Sequence, residues 1–246
     1  MVFLADIFLQ KKRTVRILFF LIFFLLSQTS YAQKTMKLIY VYDPLCGWCY
    51  GFSPVIEAFV KKYQADFEVE VISGGMVTGD RIGPIGEVAP YIAWAYKDVE
   101  NATGVKFGSN FLDHVLKKGT AIFTSLPASY ALTAFKTLKP AEQLSFAARL
   151  QKAVYFDGFE PLDTGQYGLL AAEFGLQAAN FLMAMQSPKN LAATHAEFAM
   201  SQKLGVRGFP TVFLKDLDTY YNLAKGAVSL KILEQNYLSV KSMLKR

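Results

Sequence analysis

Met36–Tyr42 (MKLIYVY) is an unbroken run of β-branched, aromatic and aliphatic residues of strand length, and Asp43-Pro44 ends it. From Gly47 the pattern changes period. Val55, Ile56, Phe59, Val60 and Tyr63 recur at helical spacing, which predicts a helix over Gly47–Tyr63. Phe67–Ile72 (FEVEVI) reads as a second strand, stopped by Gly74 and Gly75. Strand, helix, strand is the opening of a βαβ unit.

Between about Met76 and Ser201 the text is helical. Tyr91–Val99, Asn110–Leu116, Pro127–Leu138, Ala141–Val154, Gly165–Phe174, Ala178–Met185 and Lys189–Leu204 are the predicted helices, with Leu144, Ala147, Leu150 and Val154 marking one apolar face. Strand signals return at Thr211–Leu214 and Thr219–Leu223 across a turn at Lys215–Asp218. A last helix, about Val228–Leu244, follows. The segmentation is 33–75 and 202–246 as two parts of one α/β domain, with 76–201 as a large all-helical insertion.

Residues 1–32 change the reading of charge. Lys11, Lys12 and Arg13 precede the uncharged run Ile17–Leu26, and Ser30-Tyr31-Ala32 fits a small-x-small cleavage site, so the segment reads as an export signal cut after Ala32. Ten apolar residues fall well short of the ~20 a membrane span needs, so membrane contact is expected only through this signal. The whole chain carries +6, from 26 basic and 20 acidic residues. Without the four basic residues of 1–32 and Asp6, 22 and 19 remain, a charge of +3. That balance and the absence of a basic run elsewhere argue against a nucleic-acid partner. A periplasmic or otherwise exported protein is expected.

Export gives weight to the cysteine count. The chain has two, Cys46 and Cys49, in Cys46-Gly47-Trp48-Cys49 at the strand-to-helix junction. An oxidising compartment turns spare cysteines into cross-links, yet a disulfide closing so short a loop contributes little stability. The pair therefore reads as chemistry. A sulfur at a helix start faces unpaired N–H groups and the positive end of the helix dipole, worth up to ~2 kcal/mol. Cys46 is expected to titrate below the free value of ~8.5, and Cys49, one turn further in, to be buried and less acidic. Cys46 then attacks or is attacked, and Cys49 resolves the mixed disulfide. A half zinc site, a thiophilic-metal carrier and an inert buried pair are the competing readings. His114 and His195 lie far apart with no third cysteine, so no metal site and no cofactor beyond the Cys46–Cys49 couple are expected.

Tyr42-Asp43-Pro44-Leu45-Cys46-Gly47-Trp48-Cys49-Tyr50 resembles the active-site region of DsbA-like thioredoxin-fold proteins, nearest to the FrnE-like branch described as predicted disulfide isomerases. Gly205-Val206-Arg207-Gly208-Phe209-Pro210-Thr211 resembles the same family's cis-proline loop. The resemblance implies a thioredoxin fold with a helical insertion and a cis bond before Pro210. It also implies that Pro210 packs beside the cysteines and that Phe209 offers its backbone to an extended substrate. Phe209 is bulkier than the Val or Thr familiar there. The pair Gly47-Trp48 lacks the histidine of strongly oxidising relatives, and a potential between the ~−120 mV of DsbA and the ~−270 mV of thioredoxin is expected.

The function expected is thiol–disulfide exchange on cysteine-containing proteins, with a redox-recycling partner that the sequence does not name. A metal carrier or peptide-binding holdase is the alternative from another class. A kappa-type glutathione-dependent transferase or isomerase is a third, against which Cys49 argues. Trp48 reads either as an apolar platform for substrate or as packing under the insertion. Asp43 reads first as a turn former, with an electrostatic influence on the Cys46 thiol as the alternative; Glu68 and Glu70 read as a strand's polar face, and the insertion's aromatics as core.

Overall fold

The computed structural model describes residues 36–244, so the export signal read at 1–32 lies outside the described residues. Strand β1 (Met36–Tyr42) is central in a four-stranded sheet ordered β2-β1-β5-β6. From Leu38 onward it is buried on both faces, which explains an apolar run without alternation. It pairs in parallel with β2 (Phe67–Ser73), Leu38 opposite Val69, and antiparallel with β5 (Thr211–Asp216), Leu38 opposite Leu214. Strand β6 (Thr219–Lys225) closes the other edge, antiparallel to β5. Parallel neighbours need a crossover, and α1 (Gly47–Tyr63) supplies it.

The two faces of the sheet carry separate cores. Leu38, Tyr40 and Tyr42 join α1 through Phe52 and Phe59. There Tyr237 of the C-terminal helix stands edge-on to Phe59 and Phe67. Ile39, Val41, Ile72 and Phe213 form the opposite core, covered by Met200, Leu204, Val206 and Phe209.

The inserted segment contains α2 (Ala89–Thr103), a π-helical stretch (Asn110–Leu116), α3 (Leu126–Leu138), α4 (Gln143–Tyr155), α5 (Thr164–Glu173), α6 (Ala178–Gln186) and α7 (Pro188–Lys203); α8 (Leu230–Leu244) ends the described chain. One feature departs from the all-helical expectation. Two-residue strands β3 (Gly83–Pro84) and β4 (Ile122–Phe123) pair antiparallel, and a ladder so short leaves no period in the sequence to read. Most of the insertion's aromatics are core, as expected: Phe135 and Phe146 stack at 4.0 Å, with Phe174 edge-on to both, whereas Tyr91, Trp94 and Phe156 are exposed.

The insertion also finishes the sheet. A bare edge strand exposes unpaired backbone groups, and side chains from α3, α4 and α7 take those of β2. Gln143 accepts from Val71 N–H at 2.8 Å and donates to Val69 C=O at 2.9 Å. Lys136 donates to Val71 C=O, and Glu197 accepts from Ser73 N–H at 2.9 Å. Lys136 and Glu197 pair with each other at 2.7 Å. This arrangement fixes the insertion against the domain and so positions α4 beneath the cysteine turn.

Candidate active site

Cys46 is the N-cap residue of α1. Its backbone is extended (φ −90°, ψ 111°), and its Sγ accepts the Cys49 N–H at 3.3 Å. A sulfur thus takes the place that a Ser or Asp oxygen fills in an ordinary cap, and the contact is the one the sequence argument requires. On its other side the Cys46 thiol donates to the Phe209 carbonyl at 3.5 Å, across 163 positions of sequence. The Phe209–Pro210 bond is cis. Pro210 is buried and its carbonyl accepts from Gly226 N–H at 2.7 Å. Both cysteines are free thiols.

The two sulfurs differ in environment. Cys46 retains 7% exposure and Cys49 has none. Burial pushes the Cys49 thiol well above its ordinary range, and the hydrogen bond and charge of Cys46 push it further, against the lowering effect of the Asp43 backbone N–H. Trp48, between them, is 38% exposed on the first turn of α1 and available as a platform. Gly47 is half-buried, and a methyl there would meet Phe107 at an ordinary 3.6 Å.

Asp43 is more than the turn former read from sequence. Its carboxylate does close the turn, accepting Leu45 N–H at 2.9 Å, but it is wholly buried. It also accepts from Met76 N–H at 2.6 Å and from the Ser125 hydroxyl at 2.7 Å. One side chain therefore ties the cysteine turn, the end of β2 and the start of α3. Burial raises its pKa from 3.8 to about 6, with those three hydrogen bonds and Arg81 acting against the rise.

Helix α4 braces the same turn from below. Gln151 donates to the Asp43 carbonyl at 3.2 Å and the Cys46 carbonyl at 3.4 Å, and accepts from Ser53 Oγ at 2.9 Å. Tyr155 donates to the Leu45 carbonyl. None of these residues was singled out from sequence. The available signal was Gln151 itself, a polar residue beside the apolar stripe of Leu144, Ala147, Leu150 and Val154. Tyr40 and Tyr42 on β1 are also buried, and the Tyr42 hydroxyl has no hydrogen-bond partner among the described residues. Burial foremost, then the neighbouring Cys49, holds the Tyr40 phenol well above its ordinary range.

Gly74 is a second residue that sequence reading treated only as a strand breaker. A Cβ there would lie 2.0 Å from the Phe209 ring, so glycine makes room for the bulky residue before Pro210. The ring packs on Gly74 while the carbonyl faces Cys46. Among the described residues no three His, Cys, Asp or Glu side chains are grouped so as to hold a metal ion.

A mixed β2-β1-β5-β6 sheet, a cysteine pair at its first strand–helix junction and a cis-proline loop against it define a thioredoxin-fold protein. The chain belongs to the DSBA-like thioredoxin domain family, which it matches over residues 37–238, a family of thiol–disulfide oxidoreductases. No curated protein matches it. Among solved structures it is similar to a protein from Nitrosomonas europaea provisionally named a protein disulfide isomerase, with 26% identity and a TM-score of 0.76 over 85% of this chain and 98% of the other. It is also similar to the cytosolic disulfide reductase DsbM from Pseudomonas aeruginosa, with 30% identity and a TM-score of 0.72 over 85% and 99% of the two chains. DsbM solved with GSH matches at 27% identity and a TM-score of 0.70, over 85% and 100%.

Proposed function

We propose that the protein is an exported thiol–disulfide oxidoreductase that acts on cysteine-containing substrates through Cys46 and Cys49, in the direction of reduction or isomerisation. The observation that carries this reading is the Cys46 sulfur at the α1 N-cap, open toward Phe209, with Cys49 buried one turn behind it.

The chemistry follows from that placement. The Cys46 thiolate attacks a substrate disulfide; a Cys46–substrate S–S bond forms and one substrate thiolate leaves. Cys49 then gives up its proton, and its sulfur attacks Cys46. The second substrate thiolate leaves and the Cys46–Cys49 disulfide remains. Two electrons have passed from the protein dithiol to the substrate, and the protons end on the released thiols. Isomerisation is the same first step, undone by a different substrate thiol. Burial and then the hydrogen bond and charge of Cys46 hold the proton on Cys49, and capture of substrate by Cys46 removes its charge, which favours capture before resolution.

Two features support reduction or isomerisation over strong oxidation. Gly47-Trp48 supplies no cationic side chain to the Cys46 sulfur, and the 30%-identical DsbM is named a disulfide reductase and has been solved with GSH. Glutathione is accordingly the proposed electron donor. DsbM is described as cytosolic, whereas residues 1–32 here carry the pattern of an export signal. An N-terminus at Gln33 on the protein isolated from the cell envelope checks that part, and an intact Met1 in the cytosol overturns it.

The decisive test equilibrates the mature protein in graded glutathione buffers and follows the Cys46–Cys49 disulfide by mass. A single two-electron transition between the ~−120 and ~−270 mV of DsbA and thioredoxin is expected. Failure of the two cysteines to form a disulfide at any poise would sink the assignment.

A further inference from the structure

Two guanidinium groups flank the Phe209–Pro210 loop. A groove of about 450 Å³ is lined by Gly75, Arg81, His195, Gln202, Arg207 and Phe209. A second hollow of about 630 Å³ lies on the other side of the same loop, sharing Arg207 and Phe209 and adding Lys225. Both volumes fall within the ~300–1,000 Å³ usual for small-ligand sites. No Asp or Glu lines either hollow among the described residues.

The arginines are not consumed by the fold. Among the described residues neither forms an ion pair with a carboxylate. Arg81, which lines the first groove, donates once, at 3.4 Å, to the Gly75 carbonyl. The acid that feels its charge is Asp43, whose oxygens are already taken by Leu45, Met76 and Ser125. Phe209, which lines both hollows, is the residue whose carbonyl accepts from Cys46 Sγ. An anion on these arginines would thus share Phe209 with the reacting sulfur.

We propose that Arg81 and Arg207 make the protein selective for acidic disulfides, those bearing carboxylates beside the sulfur. The inference rests on the exchange reading above and names its substrate class. A guanidinium presents a fork of donors that fits a carboxylate in two places. On an exposed surface such a pair adds little to stability, but a groove lined by one sign of charge raises the encounter rate with the opposite sign, in a salt-dependent way. Selectivity therefore belongs in the second-order rate of Cys46 capture.

A matched aliphatic series tests it on the reduced mature protein: dithiodipropionate (two carboxylates), bis(2-hydroxyethyl) disulfide (neutral) and cystamine (two ammonium groups). The readout is the ratio of rates within one protein, which cancels any change in Cys46 itself. For the unsubstituted protein, added salt should lower the dithiodipropionate-to-neutral ratio and raise the cystamine-to-neutral ratio. In the double variant Arg81→Gln, Arg207→Gln the first ratio should fall on the order of tenfold at low salt. Arg207→Glu should raise the second. Ratios that ignore both salt and substitution overturn the proposal while leaving exchange intact. Loss of reaction with all three disulfides in the unsubstituted protein instead removes the exchange reading itself. Mixed disulfides of Glu-Cys-Glu and Lys-Cys-Lys peptides separate the two sources of carboxylate. A preference confined to the small disulfide assigns the groove to low-molecular-weight thiols, and one shared by the acidic peptide assigns it to protein strands as well.

Discussion

Below the Cys46 sulfur, the turn from Tyr42 to Cys46 is buried and braced by Ser125, Gln151 and Tyr155 from the insertion. Above it, the Gly205–Pro210 loop is largely exposed and held mainly by backbone, with Val206 N–H on Ser201 C=O at 3.2 Å and Gly226 N–H on Pro210 C=O at 2.7 Å. Gly205, at φ +70°, ends α7 in a conformation that suits glycine and starts this loop. The lower side fixes where the sulfur stands; the upper side decides what reaches it. Substitutions below should cost stability and reaction together, whereas those above should change rate or preference with the fold kept.

The largest effect falls on the sulfurs themselves. Cys46→Ser should lose all exchange, whereas Cys49→Ser should still capture substrate once and stop, leaving a mixed disulfide detectable by mass spectrometry. If Cys46→Ser still reduced insulin at the original rate, the asymmetry between the two sides would have no chemical meaning.

Asp43→Asn tests the buried side through pH. Asp43 binds its proton more tightly in the folded protein than in the unfolded chain, so its contribution to stability is full below pH 4 and is lost as pH climbs through 6. The displacement from 3.8 to about 6 corresponds to on the order of 3 kcal/mol for this group. Denaturant titrations from pH 4 to 7 should show that fall in the parent and a flatter profile in the variant. Identical slopes would mean that the carboxyl is not held as described.

Gln151→Ala sharpens the same side. It strips partners from two carbonyls of the cysteine turn and from Ser53, and should cost about 1–3 kcal/mol in the urea midpoint. Gly74→Ala moves to the open side. The new methyl displaces the Phe209 ring, and exchange should slow about tenfold, equivalent to about 1.4 kcal/mol in the barrier; an unchanged rate would show that the position of Phe209 is immaterial. Trp48→Ala should do least. With the side chain 38% exposed, stability should stay within about 0.5 kcal/mol, while the rate with unfolded protein substrates drops about threefold through lost aromatic contact.

Much of this was legible in the amino-acid pattern. The bounds of β1 and α1 agree with the predicted Met36–Tyr42 and Gly47–Tyr63, and most other predicted elements end within two residues of those observed. The burial of Cys49 and the N-cap position of Cys46 were expected from their place at a strand-to-helix junction. The partners of Asp43 were not legible, because Met76 and Ser125 stand 33 and 82 positions away. Nor was the cover on the β2 edge, which depends on Gln143, Lys136 and Glu197 arriving from three different helices.

The sequence by itself determined what local backbone preference and the period of apolar residues decide: strand, turn and helix, and a sulfur at the helix start with a second one turn on. Those preferences act over a few neighbouring residues, so period and residue type specify them. Tertiary structure alone decided what meets across the fold: Phe209 at Cys46, Gly74 under the Phe209 ring, Gln151 under the turn, and Arg81 in one groove with Arg207. Those encounters depend on how whole helices pack on the sheet, and packing leaves no repeating pattern in the chain.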